Sequence, residues 1–166
     1  MRACCLHGRI VGTVLACGLA LLHLASCSYP FLIGAEGDLK SSVVFHFYEF
    51  HVGNPDPPTP ISLTITRFSV IEVDADLVKR LPLNENVVGI GGKIIWEIEG
   101  AEFLSSIEYG KSYPHLDTIV AAKPLDRNSL YLAKAGSRTT SGAAVGFWVD
   151  ADGFVVEGAS NRGSPR

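Results

Sequence analysis

The chain is poor in the residues that would place it in several large classes of protein. It has 14 basic against 17 acidic residues, and this balance excludes a strongly basic nucleic-acid-binding domain. Charged residues make up only 19% and hydrophobic residues 47%, which excludes intrinsic disorder. Its 17 glycines follow no three-residue period, so a collagen is excluded as well. A length of 166 residues corresponds to about one domain.

Cysteine is scarce, and the few cysteines lie near the start of the chain. They are Cys4, Cys5, Cys17 and Cys27. The sequence after Cys27 therefore has no disulfide framework, no zinc site of thiolates and no cysteine nucleophile. A fold formed by that part of the chain has to be stable through its core alone.

The first 26 residues have the pattern of an export signal. Arg2 and Arg9 give the amino-terminal part a positive charge, and residues 10–24 form an apolar run of 15 residues without a charged side chain. A membrane-spanning helix needs about 20 apolar residues, so the run is typical of a signal peptide rather than of a permanent anchor. We therefore predict that residues 1–26 are removed.

The residues at the end of the apolar run indicate which type of signal it is. Leu24, Ala25, Ser26 and Cys27 resemble a bacterial lipobox, in which two small residues precede a cysteine. The resemblance implies cleavage between Ser26 and Cys27, a diacylglyceryl thioether on the Cys27 thiol and acylation of the new amino terminus. The alternative is ordinary signal-peptidase cleavage nearby, with Ser28 as the first residue.

Removal of the leader changes the charge of the chain. The remaining 140 residues carry 12 basic and 17 acidic side chains, a net charge of −5. Such a body does not favour anionic headgroups, so we expect attachment to the lipid bilayer through the acyl chains, of which two or more hold firmly. Because Ser28 rather than aspartate follows Cys27, the lipobox resemblance implies transfer to the outer membrane, facing the periplasm.

The rest of the chain divides into three segments by composition. Residues 27–42 are mixed in character and are predicted to be a lipidated tether with some local packing. Residues 43–158 consist of short apolar segments separated by glycine- and proline-rich turns, and we predict that they form the folded domain. Residues 159–166 are small and polar, which predicts a flexible tail.

The apolar segments of this domain have the pattern of strands. Residues 43–50 are β-branched and aromatic, and alternating apolar residues flank the aspartate-glycine turn at 150–153, which predicts a hairpin. The alternation that begins at Ile61 shifts near Arg67, which predicts a bulge. Residues 74–81 could form one or two helical turns. About seven strands without a long helix predict an antiparallel β-sandwich, Ig-like or transthyretin-like, with a small β-barrel as the alternative.

No residue pattern predicts a metal site. Three histidines remain after the leader, namely His46, His51 and His115. On a regular strand His46 shares a face with Tyr48, whereas His51 lies on the opposite face, so the two cannot bind one metal. The turn at 150–153 resembles part of a calcium loop, but it lacks a third oxygen donor before its glycine, and we interpret its aspartates as turn formers.

No residue pattern predicts catalysis either, and we do not expect an enzyme. Glu97 and Glu99 would be about 7 Å apart on one solvated face of a strand, which gives no enclosure for paired carboxylates. The glycines at 89–92 lack a third glycine at position 94, so a bulge or turn explains them better than a dinucleotide site. His115 and Asp117 are close in sequence, but there is no G-x-S-x-G elbow.

Two families resemble parts of the chain. Residues 94–156 resemble small, uncharacterised proteobacterial lipoproteins, a family that implies no particular activity. The motifs that carry this resemblance are Trp96-Glu97-Ile98, Tyr109-Gly110 with Pro114, Pro124-Leu125 with Tyr131, and residues 147–149 leading to Asp152-Gly153. Asn54-Pro55-Asp56, followed by Pro60 and residues 61–68, is similar to the start of the type VI secretion outer-membrane lipoprotein, a transthyretin-like sandwich that docks a periplasmic partner.

These patterns together favour a membrane-anchored, non-catalytic interaction or assembly module of the cell envelope. The stiff proline-rich loop at 53–60 could present a fixed shape to an envelope protein partner. One alternative is a carrier of a small ligand in a cavity between the sheets. A second is a partner-docking lipoprotein like that of type VI secretion, and a third is a hydrolase built on His115, Asp117 or the two glutamates. We expect no cofactor besides the lipid on Cys27.

Overall fold

The fold is described here from a computed structural model, which covers residues 31–50, 58–74, 92–138 and 142–157. These ranges contain strands and no helix, which confirms the prediction of an all-β fold. The described ranges hold nine strands rather than about seven: β1 (Phe31–Gly37), β2 (Val43–Glu49), β3 (Leu63–Val73), β4 (Gly92–Leu104), β5 (Ser106–Glu108), β6 (Leu116–Val120), β7 (Ser129–Ser137), β8 (Ala143–Val149) and β9 (Val155–Glu157).

The strands form two antiparallel sheets. The smaller sheet has the order β1-β2-β5, and the larger one has the order β6-β4-β3-β7-β8-β9. The sheets are not closed into a barrel, so the β-sandwich is confirmed and the barrel alternative is wrong. A backbone bridge between Asp38 and Phe154 joins the sheets at the β1 side, where β1 also contacts β8 and β9.

Aromatic side chains fill the space between the sheets. Phe45 and Phe47 on β2 alternate with outward-facing residues, as period two requires, and both are fully buried. The Phe45 ring lies 5.0 Å from that of Phe68 on β3 and 5.4 Å from that of Phe147 on β8. Each such side chain stabilises the fold by about 1.5–3 kcal/mol through burial, so no disulfide is needed to explain the core.

Strand β1 lies within the stretch that was predicted to be a tether. Phe31, Ile33 and Ala35 are buried, whereas Leu32 is partly exposed, which is the alternation of a strand with one face on the core. All seven residues of β1 pair with β2. The tether prediction is therefore wrong for residues 31–37, because a glycine and the small Ala35 weaken the apolar signal of this strand.

Two local predictions are confirmed. Both neighbours of β3 change register between Ile65 and Arg67, which is the predicted bulge. The β8–β9 hairpin turns at residues 150–153, where Gly153 has a φ of 92°, a backbone conformation that favours glycine.

Several predictions fall on residues outside the described ranges. They concern the leader, the lipobox with Cys27, His51, most of the proline-rich loop, the helical turns at 74–81, the glycines at 89–91 and the tail. Within the ranges that are described, no helix is long and apolar enough to cross a membrane.

Candidate docking surface

The larger sheet has one face on the core and one face turned away from the smaller sheet, which we call the outer face. On β3, Phe68 and Val70 are buried in the core, so the residues between and beside them point outward. The outward residues of β3 are Arg67, Ser69 and Ile71. They lie at the centre of the sheet, because β4 and β7 pair with β3 on its two sides.

The strand register arranges the outer face in a polar row and an apolar row. Ser69 pairs with Glu97 on β4 and with Lys134 on β7. Two residues further along β3, Ile71 pairs with Ile94 on β4 and with Leu132 on β7. Charged side chains therefore flank a small serine in one row. In the next row Ile71 and Leu132 belong to a small buried cluster, and Ile94 is 38% exposed.

Glu97 does not lie on a solvated face, which corrects the sequence-based expectation. Its side chain is only 4% exposed and forms an ion pair with Arg67, whose side chain is 59% exposed. Glu99 is exposed, so the two carboxylates share a face without sharing an environment. The physical reason is the neighbouring strand, which supplies the guanidinium that compensates the buried charge of Glu97.

Lys134 differs from Arg67 because it has no ion-pair partner among the described residues. It borders a shallow groove of about 310 Å³ on the outer face. The groove is lined by Arg67, Ser69, Ile71, Ile94, Lys134, Ala135 and Gly136. The groove therefore combines apolar lining with two cationic side chains. Arg67 is paired with Glu97, whereas Lys134 is available to an anionic group.

A row of partly exposed apolar side chains extends the apolar part of the outer face toward the sheet edge. Trp148 pairs with Leu130 on one side and with Val156 on the other. Trp148 is 37% exposed and Val156 51% exposed. Indole rings on accessible surfaces are characteristic anchors of protein interfaces, because they bury a large area with few rotatable bonds.

The two described histidines lie outside this surface, His46 on the smaller sheet and His115 directly before β6 of the larger sheet. His46 Nε2 contacts Glu36 Oε1 at 2.8 Å on the smaller sheet, and its ring lies beside that of Tyr48, which confirms the shared face. His115 is exposed, and its backbone N–H donates to Glu102 Oε2 at 3.1 Å. Within the part of the chain that is described, no three His, Cys, Asp or Glu residues are grouped so that they could hold a metal ion.

The aspartates of the β8–β9 turn have a structural explanation. Asp150 Oδ1 accepts hydrogen bonds from the backbone N–H groups of Asp152 at 2.9 Å and of Phe154 at 2.8 Å. This arrangement closes the turn from within, as expected for aspartate at the first turn position. The interpretation as a turn former is thus supported for Asp150 by its contacts, whereas the Asp152 carboxylate accepts no hydrogen bond among the described residues.

Three tyrosine hydroxyls, one of a buried and two of partly buried side chains, are also structural. Tyr109 donates to the Lys123 carbonyl at 2.7 Å, and burial raises the pKa of its hydroxyl. The hydroxyls of Tyr113 and Tyr131 accept from the backbone N–H groups of Glu108 and Asp126, both at 2.7 Å, and burial raises their pKa as well. All three hydroxyls stay neutral at physiological pH. Their hydrogen bonds fix the backbone of neighbouring loops to the core.

The sequence alone did not reveal the groove. Arg67 and Lys134 are far apart in sequence and become neighbours only through the pairing of β3 with β7. The spacing of residues does not predict that these two strands of the sandwich pair. The surface is therefore recognisable only once the strand pairing is known.

No protein-family profile matches the chain, and neither does any curated protein.

Proposed function

We propose that the chain is a lipid-anchored, non-catalytic interaction module of the cell envelope. The lipobox supports acylation of Cys27 and an outer-membrane location that faces the periplasm. The outer face of the larger sheet supports a binding role for the body. The lipid bilayer would be reached through the acyl chains, and an envelope protein would be the partner.

The observation that carries the binding role is the chemistry of the outer face. Lys134 has no ion-pair partner among the described residues, and it lies beside a groove whose apolar wall includes Ile71 and Ile94. The exposed Trp148 and Val156 lie on the same face. A partner that fits is an extended protein segment with apolar side chains and a carboxylate, which would pair with Lys134.

The packing between the sheets supports this role over that of a small-ligand carrier. Phe45, Phe68, Trp96 and Phe147 are at most 1% exposed. The Phe45 ring of the smaller sheet contacts those of Phe68 and Phe147 across the interface, and within the larger sheet the Phe68 and Trp96 centroids are 5.7 Å apart. A carrier needs open volume where these rings are. The likeness to the type VI secretion lipoprotein stays a prediction, because residues 54–56 lie outside the described ranges.

The anchor is tested by metabolic labelling with a fatty-acid analogue. We expect the wild-type chain to incorporate label and Cys27→Ser to lose it, because the serine hydroxyl cannot form the thioether. Ser28→Ala is the matched control and should label like the wild type. Label that persists in Cys27→Ser would overturn the proposed anchor.

The binding role is tested by photo-crosslinking in the native envelope. A crosslinking amino acid at position 148 should capture a protein in a discrete adduct, whereas the same group at position 154, outside the outer-face row, should not. Lys134→Glu should weaken the adduct by at least severalfold, and Lys40→Glu, an exposed charge reversal elsewhere, should leave it unchanged. Equal adducts from both positions would overturn the assignment of the surface.

Arg67 is unsuited as the probe of this surface. Arg67→Met would leave the Glu97 carboxylate buried without a partner, and the expected loss of stability is about 1–3 kcal/mol, because Arg67 itself is 59% exposed. A weakened adduct in that variant would therefore not separate lost binding from lost folding. The double substitution Arg67→Met with Glu97→Gln should recover much of the lost stability in chemical denaturation.

A further inference from the structure

The folded body begins very close to the proposed anchor. Strand β1 starts at Phe31, so only three residues separate it from Cys27. Even a fully extended chain would place the Phe31 Cα at most about 14 Å from that of Cys27. The end of the sandwich that carries Phe31 would therefore be held at the membrane surface.

The strand register identifies what else lies at that end, which we call the anchor end. Phe31 pairs with Glu49, the last residue of β2, and Phe50 follows directly. The backbone N–H of Phe47 donates to the Ser105 carbonyl at 3.2 Å, which brings the carboxyl end of β4 to the same place. Phe103 is thus at the anchor end as well.

Large apolar side chains are exposed at the anchor end. Phe103 is 70% exposed, and Leu32 and Phe50 are 41% and 39% exposed. None of them is part of the outer-face row. Aromatic and aliphatic side chains that lie open to water on a body held within a few residues of a bilayer are suited to the interfacial region of lipids.

Charged side chains are few at the anchor end among the described residues. They are Glu49, Glu102 and Arg138, and Glu102 accepts a hydrogen bond from the His115 backbone N–H. The opposite end of the sandwich carries more charge, with Asp38, Lys40, Asp150 and Asp152 in its turns and Arg127 hydrogen-bonded to the carbonyl of Ala151. The two ends thus differ in the direction expected for a body with one end on a lipid surface.

We infer that the anchor end of the sandwich rests on the bilayer, with Phe103, Phe50 and Leu32 in the lipid interface. This inference rests on the proposed acylation of Cys27. The acyl chains supply the attachment, and the apolar end fixes the orientation of the body. The strands then point away from the membrane, and the groove beside Lys134 and the Trp148 row stand roughly upright on the outer face of the larger sheet.

The orientation is tested by the depth of single labels. The chain that follows cleavage has Cys27 as its only cysteine, and acylation blocks that thiol, so an introduced cysteine can be labelled selectively. Phe103→Cys and, as the matched control, Phe154→Cys would each carry an environment-sensitive fluorophore. Both are exposed positions, at 70% and 56%, so both variants should fold. The lipidated proteins are placed in phosphatidylethanolamine–phosphatidylglycerol vesicles that contain nitroxide-labelled lipid.

We expect severalfold stronger nitroxide quenching of the label at position 103 than of the label at position 154. Leu32→Cys should be quenched like Phe103→Cys. Intact mass of each preparation reports the acyl chains on Cys27. If the mass shows acylation and all labels are quenched equally or not at all, the inference is overturned while the proposed anchor stands. If the mass shows no acyl chains, the proposed function is overturned, and the inference with it.

Discussion

The two ends of the sandwich are built from different chemistry. At the end opposite the anchor end, which we call the distal end, the β1–β2 and β8–β9 turns are closed by aspartate side chains. These accept hydrogen bonds from backbone N–H groups. At the anchor end, Phe103 and Phe50 are open to solvent. The distal turns therefore contribute to stability through these hydrogen bonds, whereas Phe103 and Phe50 are apolar surface that the fold itself does not use. The distal end carries such surface too, at Phe154, which is 56% exposed.

This difference separates two properties that substitutions can measure independently. Changes in the distal turns should lower the free energy of unfolding and leave the position of the body on a membrane unchanged. Changes at the exposed side chains of the anchor end should alter the position of the body on a membrane and leave the free energy of unfolding unchanged. The expected effect on the free energy of unfolding decreases from Gly37 in a distal turn to Phe103 at the anchor end.

The largest effect is expected at Gly37, where β1 ends. Its φ of 114° disfavours any residue with a Cβ, and an added Cβ would collide with the carbonyl oxygen of Ser42. We expect Gly37→Ala to lower the free energy of unfolding by about 3 kcal/mol in urea denaturation. Gly136→Ala, where a Cβ meets its nearest neighbour at 3.5 Å, is the control and should change stability little. Equal losses in the two variants would contradict this account of the turn.

The next effect is expected at Asp150 in the β8–β9 turn. Asp150→Ala removes the acceptor of two backbone N–H groups, and we expect a loss of about 1–2 kcal/mol. Asp152→Ala removes a neighbouring carboxylate that accepts no hydrogen bond among the described residues. It should stay within about 0.5 kcal/mol of the wild type, since such surface changes are small. A larger loss for Asp152→Ala would point to a role for the loop that its contacts do not explain.

A smaller, pH-dependent effect is expected at Asp38. Hydrogen bonds from the backbone N–H groups of Ser41 and Lys40 lower the pKa of its carboxyl. Because the folded pKa lies below the unfolded value of about 3.9, its contribution to stability is present above that value and is lost as the pH falls through the folded pKa. Asp38→Asn should therefore show a shallower decline of stability below about pH 4. An identical decline in both proteins would contradict this.

The smallest effect on stability is expected at Phe103. Its side chain is 70% exposed, so Phe103→Ser should change the free energy of unfolding by less than about 0.5 kcal/mol. The same variant should loosen the orientation of the lipidated body on vesicles, seen as weaker quenching of a label at Leu32→Cys. Phe154→Ser should leave that quenching unchanged. A substantial loss of stability in Phe103→Ser would show that the anchor end belongs to the folded core.

Local patterns predicted much of the fold. The β-branched and aromatic run at 43–50 became β2, the aspartate-glycine turn became the β8–β9 hairpin, and the shift near Arg67 became a bulge. Each of these depends on neighbours in sequence, where period and turn chemistry are informative. Strand β1 was missed because its apolar alternation is short and contains a glycine, and only pairing with β2 makes it a strand.

The candidate surface depended on long-range pairing and was not predicted. Glu97 was expected to be solvated, yet Arg67 on β3 covers it in an ion pair. Lys134 joins the same surface only through the register of β7 with β3. Pairing between strands distant in sequence leaves no trace in spacing, so these charges could not be assigned partners from the sequence.

The chemical state of Cys27 decides whether the body is anchored, and the intact mass of the chain isolated from its native envelope measures that state. We predict a mass that corresponds to a chain beginning at Cys27 and carrying a diacylglyceryl group and an additional acyl chain. A mature chain that begins at Ser28, or one that begins at Cys27 without acyl mass, would contradict the account.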